Sequence, residues 1–202
     1  MKLYYSPGAC SLAPHIVLCE LGLTHALEIV NLKTSTYSGG EFKKVNPKGH
    51  VPTLELATGE ILTEAATILQ YLGEQKPEGG LLPRAGSMER WRCLEWTTFI
   101  STELHKGGFG PLWNDATPEE YKNMTTETLF QRFDFVDRGL RDRDYLLGKQ
   151  FTIADAYLFT VMGWARFLKI DISRFKALVG YVGRVAARPG VQAALRAEGL
   201  LK

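Results

Sequence analysis

A cysteine in front of a helix is the first residue of this 202-residue chain that could do chemistry. Pro14 is tolerated only in the first turn of a helix, where its missing N–H would be unbonded anyway, so the N-cap falls near Ser11 with Cys10 directly before it. The unbonded N–H groups and the dipole at that end of a helix favour a thiolate. The alternative role is that of a small buried hydrophobic residue. Cys10 is therefore a candidate reactive thiol.

The other cysteines and the histidines are weaker candidates for a chemical role. Cys19 lies nine residues further along the same helix, about half a turn round, and so on the face opposite Cys10. Cys93 lies in the second half of the chain and is expected to be structural. Without a CxxC motif, exchange between two cysteines of the chain is not expected. The four histidines, at positions 15, 25, 50 and 105, lack the spacing of metal ligands, so no metal site is predicted.

A second group of candidates comes from a proline and a helix start. Val51-Pro52 enters a predicted strand opposite the strand–turn–cysteine–helix unit, where thioredoxin-like folds place a cis proline that exposes the backbone of the preceding residue to a ligand. An isolated X-Pro bond, by contrast, is trans about 95% of the time. Glu64 opens another predicted helix, whose unbonded N–H groups could bind a carboxylate while Glu64 binds an ammonium group. The alternative is that Glu64 only stabilises the helix, through the favourable interaction of its negative charge with the helix dipole.

The third group is a polar stripe on a long helix predicted over 87–106. Thr98, Thr102 and His105 lie at i, i+4 and i+7 and therefore share one face, next to Lys106. A solvated helix face would produce the same pattern. The stripe becomes a candidate binding surface only together with other features of the chain.

The composition excludes several classes of protein. The 24 Lys and Arg nearly balance the 22 Asp and Glu, and 45% of the residues are hydrophobic, as in ordinary globular proteins rather than disordered ones. A net charge of +2 without a basic stripe argues against nucleic acid as a partner. No apolar run approaches the roughly 18 residues of a membrane span, and the start turns too soon for a signal peptide. With only three cysteines, the expected location is the reducing cytoplasm.

The elements that must position these residues change character partway along the chain. The first part alternates strands over Lys2–Ser6 and Ala26–Leu32 with helices over Leu12–Leu23 and Glu64–Glu74, and adds a hairpin within 51–62. The Pro- and Gly-rich residues 81–86 are predicted to link a domain of residues 1–80 to one of residues 87–202. Helices alone are predicted beyond the linker, over 87–106, 118–142, 153–167, 175–187 and after Pro189, with Thr152 and Asp155 as a capping box. The predicted fold class is an α/β domain followed by an all-α domain.

Together these segments resemble the bacterial beta-class cytosolic glutathione transferases. The resemblance rests on five stretches spread over most of the chain: MKLYYSPGACSL (1–12), VNPKG (45–49), LTE (62–64), TELHK (102–106) and FTIADAYLF (151–159). It implies an N-terminal thioredoxin-like domain that binds glutathione and a C-terminal helical-bundle domain that binds a small hydrophobic electrophile, in a homodimer. Glutathione would be a co-substrate, and no cofactor is implied.

The resemblance also assigns site residues by position. It implies that Cys10 faces the glutathione sulfur together with His105, with Ser11 as an extra donor, and that Val51 offers backbone hydrogen bonds to the cysteinyl part. The long helix is expected to supply further contacts, some of them across the dimer, from Thr98, Thr102, Glu103, Leu104, His105 and Lys106.

The γ-glutamyl end of glutathione is expected at Glu64 and Ala65, where the chain departs from the family. Ala65 lacks the small hydroxyl group that often follows the glutamate, and Thr98 replaces a residue that is often Asn. The loop after Leu32 is one residue short, so a family lysine contact falls on either Lys33 or Ser35. These departures predict weaker glutathione binding than is usual for the class.

Three functions are compatible with the sequence. The leading hypothesis is conjugation of the glutathione thiolate to a small hydrophobic electrophile, with the enzyme lowering the pKa of the glutathione thiol and positioning both reactants. The second is thiol–disulfide exchange, in which Cys10 forms a mixed disulfide with glutathione. The third is a non-catalytic carrier that binds glutathione and hydrophobic ligands.

Overall fold

The computed structural model describes residues 1–201 and divides the chain into two compact units. The first consists of Met1–Leu82 together with the chain from Ala187 onward, and the second is Pro83–Ala186. The first contains strands and helices, whereas the second is helical. The predicted succession of an α/β part and an all-α part is confirmed.

A four-stranded sheet forms the centre of the first unit. Its strands are β1 (Lys2–Tyr5), β2 (Ala26–Ile29), β5 (Thr53–Glu55) and β6 (Ile61–Thr63), in the order β2-β1-β5-β6, and a separate small hairpin pairs β3 (Thr36–Tyr37) with β4 (Gly40–Glu41). β1 and β2 run parallel because helix α1 (Leu12–Leu21) connects them, and the other pairs are antiparallel. Helix α2 (Ala65–Gln75) follows β6.

Strand β2 is shorter than the predicted 26–32, because a turn takes over at Asn31. The side-chain oxygen of Asn31 accepts hydrogen bonds from the backbone N–H groups of Lys33 (3.0 Å) and Thr34 (3.3 Å). An asparagine that bonds the backbone two residues ahead forms an Asx turn, which ends an extended segment. The strand therefore stops at Ile29, before the turn.

Helix α8 (Pro189–Ala197) belongs to the first unit, although the sequence analysis places it in the second domain. It packs on α1, where Gly190 allows close approach: a Cβ at this position would lie 2.8 Å from the backbone nitrogen of Glu20. Arg188 donates to the carboxylate of the same Glu20, whose side chain is largely buried. These contacts join residues 168 and 170 positions apart, a separation that patterns of neighbouring residues cannot predict.

The second unit contains α3 (Met88–Phe99), α4 (Gly110–Leu112), α5 (Glu119–Leu140), α6 (Ile153–Phe167) and α7 (Lys176–Ala186). The helix predicted over 87–106 begins as expected, with the Ser87 hydroxyl accepting from the N–H of Arg90 at 3.1 Å. From Ile100 to Phe109, however, it is a π-helix. Gly108 fits this wider turn, because a Cβ there would lie 2.9 Å from the carbonyl oxygen of Glu103, five residues before it.

Helix α6 is almost entirely buried and begins at the predicted capping box. The backbone N–H of Thr152 donates to Asp155 Oδ2 at 2.8 Å, and the hydroxyl of Thr152 donates to the same oxygen at 2.9 Å. The prediction of a structural role for this pair is confirmed. Within residues 1–201, no helix is both long and apolar enough to cross a membrane.

We expect Thr152→Ala to lower the free energy of unfolding by about 0.5–2 kcal/mol, the usual loss on removing a helix cap, without changing glutathione affinity. Urea titration of the mutant and the wild type measures the difference. Thr128→Ala, on the exposed face of α5, is the matched control and is expected to change stability by less than about 0.5 kcal/mol. Coincident midpoints for wild type and Thr152→Ala would contradict the capping role.

Candidate functional site

Cys10 lies in a tight turn between β1 and α1, at the position that the sequence predicts. Ser11 is the N-cap residue and α1 begins at Leu12, so the thiol lies in front of the helix start. The half-buried Cys10 Sγ donates to the backbone carbonyl oxygen of Val51 at 3.2 Å. The turn and the loop that carries Val51 are therefore in contact.

Ser11 has a different role from the one expected. Its side chain is fully buried, its Oγ accepts from the N–H of Ser6 at 3.2 Å, and its hydroxyl donates to the carbonyl oxygen of the same residue at 3.3 Å. Both hydrogen-bonding functions of the hydroxyl are thus used within the turn. Ser11 positions Cys10, and its assignment as a donor to a ligand sulfur is corrected.

The loop before β5 carries Val51, and the Val51-Pro52 peptide bond is cis, as predicted from its place in the sequence. Asn46 is buried and holds this loop: its Nδ2 donates to the carbonyl oxygen of His50 at 2.8 Å and to Thr53 Oγ1 at 2.9 Å. Because both ends of the segment are bonded to one buried side chain, the backbone of Val51 is fixed beside Cys10.

Glu64 is the N-cap residue of α2 and has an uncommon backbone conformation, with φ 69° and ψ 119°. Non-glycine residues with positive φ are concentrated at functional sites. Its carboxylate accepts from Lys48 Nζ at 2.6 Å, and the same ammonium group donates to Thr63 Oγ1 at 2.9 Å. This ion pair is exposed and contributes no more than about 1 kcal/mol. Ala65 follows as the first helical residue, where backbone N–H groups lack helical acceptors.

Lys33 and Ser35, the two candidates for the lysine contact of the family, lie in different environments. Lys33 is exposed and its backbone is held by Asn31. Ser35 lies beside Gly49, two residues before Val51, and its buried Oγ has no hydrogen-bond partner within residues 1–201. Ser35 thus lies close to the Val51 loop, and the choice between the two residues stays a prediction.

The polar stripe of the second unit lies mainly in the π-helix, where the spacing differs from that assumed for an α-helix. Thr98, Thr102 and Lys106 are exposed, and the hydroxyl of Thr102 donates to the carbonyl oxygen of Thr98 at 3.1 Å. Leu104 is fully buried, so its side chain has no surface to offer a ligand, and its expected contact with glutathione stays a prediction. Glu103 is held by Arg132, with 2.8 Å between its Oε2 and an arginine nitrogen.

His105 is half-buried among aromatic side chains of α6. Its Nδ1 lies 2.7 Å from the hydroxyl oxygen of Tyr157, and its ring centroid lies 4.9 Å from that of Trp164. These contacts fix the orientation of the imidazole within the second unit. Sequence reasoning identified His105 but not these supporting partners, which lie 52 and 59 residues further along the chain.

Glu198 is a residue of the first unit that sequence reasoning missed. Its side chain is buried; Oε2 accepts from the N–H of Gly8 at 2.8 Å, and Oε1 lies 2.8 Å from His15 Nδ1. It therefore supports the turn that holds Cys10 from a position near the end of the chain. Glu198 lies 190 residues from Gly8, and no local pattern links the two.

Comparisons with known proteins agree with this arrangement. Residues 8–75 match the family of glutathione S-transferase N-terminal domains, and residues 97–189 match the C-terminal domains. The chain is 46% identical to glutathione S-transferase GstA of Escherichia coli O157:H7, over 99% of this chain and 100% of the relative.

Two solved structures are similar over almost their whole length. One is a sphingomonad glutathione S-transferase in complex with glutathione, with 44% identity, a TM-score of 0.94 and coverage of 99% of this chain and 100% of that one. The other is the beta-class glutathione S-transferase of Sphingomonas chungbukensis, with 43% identity, a TM-score of 0.95 and complete coverage of both chains. The chain therefore belongs to the bacterial beta class of the glutathione S-transferase family.

Proposed function

We propose that the protein conjugates the thiolate of glutathione to small hydrophobic electrophiles. The family assignment and the geometry of the site in the first unit support this proposal. In this proposal, glutathione binds to the first unit at Cys10, Val51, Glu64 and Ala65. The helical unit supplies the surface for the electrophile, and His105 is a second donor toward the sulfur. The last two assignments rest on the family resemblance.

The observation that carries the proposal is the contact between Cys10 Sγ and the Val51 carbonyl oxygen at 3.2 Å. It brings a thiol at a helix start next to the backbone of the segment that leads into β5, and a peptide such as glutathione can form hydrogen bonds with backbone groups of this kind. The first turn of α2 adds N–H groups that suit the α-carboxylate of the γ-glutamyl end, and Glu64 suits its ammonium group. Stabilising the glutathione thiolate with oriented donors and holding the electrophile near it would account for the acceleration of the conjugation reaction.

Steady-state kinetics with a chromogenic aryl halide and glutathione test the proposal. We expect saturable, glutathione-dependent conjugation that is faster than the uncatalysed reaction at the same pH. A thiol–disulfide exchange assay on the same preparation separates the alternatives. Exchange without conjugation would make the protein an oxidoreductase, and glutathione binding without either reaction would make it a carrier.

Thiol–disulfide exchange is a second candidate function, and it is supported by the place of Cys10 directly before the start of α1. Burial raises the pKa of Cys19 to about 11, and burial also raises the pKa of the Cys93 thiol. Thiols with raised pKa values are poor nucleophiles at neutral pH. Reactivity toward disulfides is therefore expected at Cys10, in a chain that we place in the reducing cytoplasm.

We also propose that the protein is a homodimer, because the second unit exposes large apolar side chains. Met88 on α3 is 63% exposed, Trp91 three residues later is 59% exposed, and Phe135 on α5 is 48% exposed. Phe135 also packs against Phe99 of α3, with ring centroids 5.2 Å apart, so the two helices present one apolar surface. Surfaces of this kind mark protein–protein interfaces.

Light scattering at micromolar concentration is expected to give twice the chain mass of 22.6 kDa. Replacing both Trp91 and Phe135 by Ala should weaken dimerisation at least about tenfold, as loss of interface aromatic residues commonly does. Phe167→Ala, at the exposed end of α6, is the matched control and should leave the mass unchanged. A wild-type mass of 22.6 kDa would contradict the dimer.

A further inference from the structure

A cluster of nitrogen and sulfur ligands lies at the end of α1, separate from Cys10. One ring nitrogen of His15, one of His25 and the Sγ of Cys19 all lie within 4.8 Å of one another. His15 and Cys19 are four residues apart and therefore share a face of α1, and His25 lies in the turn that follows the helix. The spacing of the histidines predicts no metal site here, because the fold rather than the local sequence brings His25 next to His15 and Cys19.

Both imidazoles already have an acceptor at Nδ1. His15 Nδ1 lies 2.8 Å from Glu198 Oε1, and both of these side chains are at most 1% exposed. His25 Nδ1 lies 2.7 Å from the carbonyl oxygen of Leu23. A carbonyl oxygen only accepts, so Nδ1 of His25 carries the hydrogen, and the neutral ring keeps its lone pair at Nε2. Carboxylate and carbonyl acceptors of this kind orient histidines that bind metal ions.

The charges around the cluster favour a cation. The buried carboxylate of Glu198 lies against His15, with 2.8 Å between Oε1 and Nδ1. Negative charge beside the ligands attracts a metal ion to the same place. Arg188 compensates the other nearby carboxylate, Glu20, through their ion pair, so Glu198 is the carboxylate whose charge acts on the cluster. The C-terminal end of α1, which carries a partial negative charge, also faces this turn.

We propose that His15, Cys19 and His25 form a binding site for a borderline-soft divalent ion of the zinc type. Two imidazoles and one thiolate leave a fourth position of the tetrahedron for water or another ligand. Two nitrogens and one sulfur around zinc lie about 3.3–3.6 Å apart, given metal–ligand bonds of about 2.0–2.3 Å, so the side chains close in by at most about 1.5 Å on binding. A metal–sulfur bond forms, the S–H bond of Cys19 breaks, and its proton passes to the buffer.

The test uses the full-length protein, stripped of metal and kept reduced by a phosphine, titrated with Co²⁺ and then with Zn²⁺. We expect one Co²⁺ per chain with a thiolate-to-cobalt charge-transfer band, which Zn²⁺ abolishes by displacement. Calorimetry of Zn²⁺ binding in buffers of different ionisation enthalpy should show release of one proton. Neither readout depends on transferase activity.

Cys19→Ser and His25→Gln should each weaken Zn²⁺ binding by more than about 100-fold, beyond the 10–100-fold effect of losing an outer-shell partner. Both residues are partly exposed, so these variants are expected to fold, which circular dichroism checks. The controls are Cys10→Ser for the thiol and His50→Gln, an exposed histidine outside the cluster; both should bind like the wild type. Unchanged binding in the cluster variants, loss of the band in Cys10→Ser, or no binding to the wild type would overturn the proposal.

Discussion

Cys10→Ala protein is expected to form no mixed disulfide with oxidised glutathione and to retain a measurable part of its conjugation rate. In the exchange reaction, the Cys10 thiolate attacks one sulfur of the disulfide, a bond forms between Cys10 and one glutathione, and the other glutathione leaves as a thiolate. This step requires the sulfur atom of Cys10 itself. Conjugation requires only that the glutathione thiolate be stabilised and positioned, and other donors contribute to that.

His105→Ala is the complementary variant. We expect it to form the mixed disulfide as the wild type does and to conjugate about 10²–10³ times more slowly, the effect of losing one donor to a developing or resting anion. Tyr157→Phe removes the hydroxyl that contacts His105 Nδ1 and should reproduce a smaller part of this loss, because it releases the orientation of the imidazole. Intact mass after incubation with oxidised glutathione, measured beside conjugation kinetics, covers all three variants.

Two outcomes would contradict this division of roles. A glutathione adduct that persists in Cys10→Ala would show that Cys19 or Cys93 is reactive, against the raised pKa of both thiols. Complete loss of conjugation in Cys10→Ala would make the cysteine indispensable to both reactions.

The second large effect is expected at Asp155, whose carboxylate is fully buried at the start of α6. Four donors surround it: the backbone N–H and hydroxyl of Thr152, the backbone N–H of Leu146 at 2.9 Å and the hydroxyl of Tyr181 at 3.1 Å. Burial nevertheless raises the pKa of Asp155 to about 6. In Asp155→Asn, the amide NH₂ group faces a backbone N–H, and because both groups are donors no hydrogen bond forms between them. We expect this variant to lose about 2–4 kcal/mol of unfolding free energy at neutral pH, the cost of unsatisfied buried donors.

The pH dependence of this loss follows from the raised pKa. The native state binds the Asp155 proton more tightly than the unfolded state, where the pKa is about 3.9. The contribution of Asp155 to stability is therefore complete below about pH 4 and falls as the pH rises through about 6, by on the order of 3 kcal/mol. The stability difference between wild type and Asp155→Asn should accordingly be larger at pH 4 than at pH 7.

Urea titrations of both proteins between pH 4 and pH 8 measure this difference, in which the other titrating groups cancel. Asp115→Asn, which alters an exposed aspartate, is the matched control and should change stability by less than about 0.5 kcal/mol. A difference that grows with pH would mean that the four donors outweigh burial and that the native state prefers the ionised carboxylate.

Features that depend on neighbouring residues were predictable from the sequence. Pro14 located the start of α1 and hence Cys10, and the Thr152–Asp155 spacing located the start of α6, because caps and proline act within one helical turn. The cis bond before Pro52 was predictable only together with the family pattern.

Features that depend on distant residues were not predictable. The hydroxyl of Ser11 suggested a donor, but its use by Ser6 depends on how the turn closes. The π-helix departs from the 3.6-residue period on which the polar stripe was based. In the sequence, the cluster of His15, Cys19 and His25 is indicated only by the i, i+4 spacing of its two helical residues. The position of His25 depends on the turn after α1.

The packing of α8 on α1 has a consequence for synthesis on the ribosome. The first unit is encoded by two stretches of the chain, separated by the roughly 100 residues of the second unit. At about 5–20 residues per second, some 5–20 s pass between translation of α2 and translation of α8. During that interval Glu198, which accepts from the N–H of Gly8 and contacts the ring of His15 in the folded protein, has not yet been synthesised. The nascent chain thus completes its second unit first, and the unit that carries Cys10 is begun first and finished last.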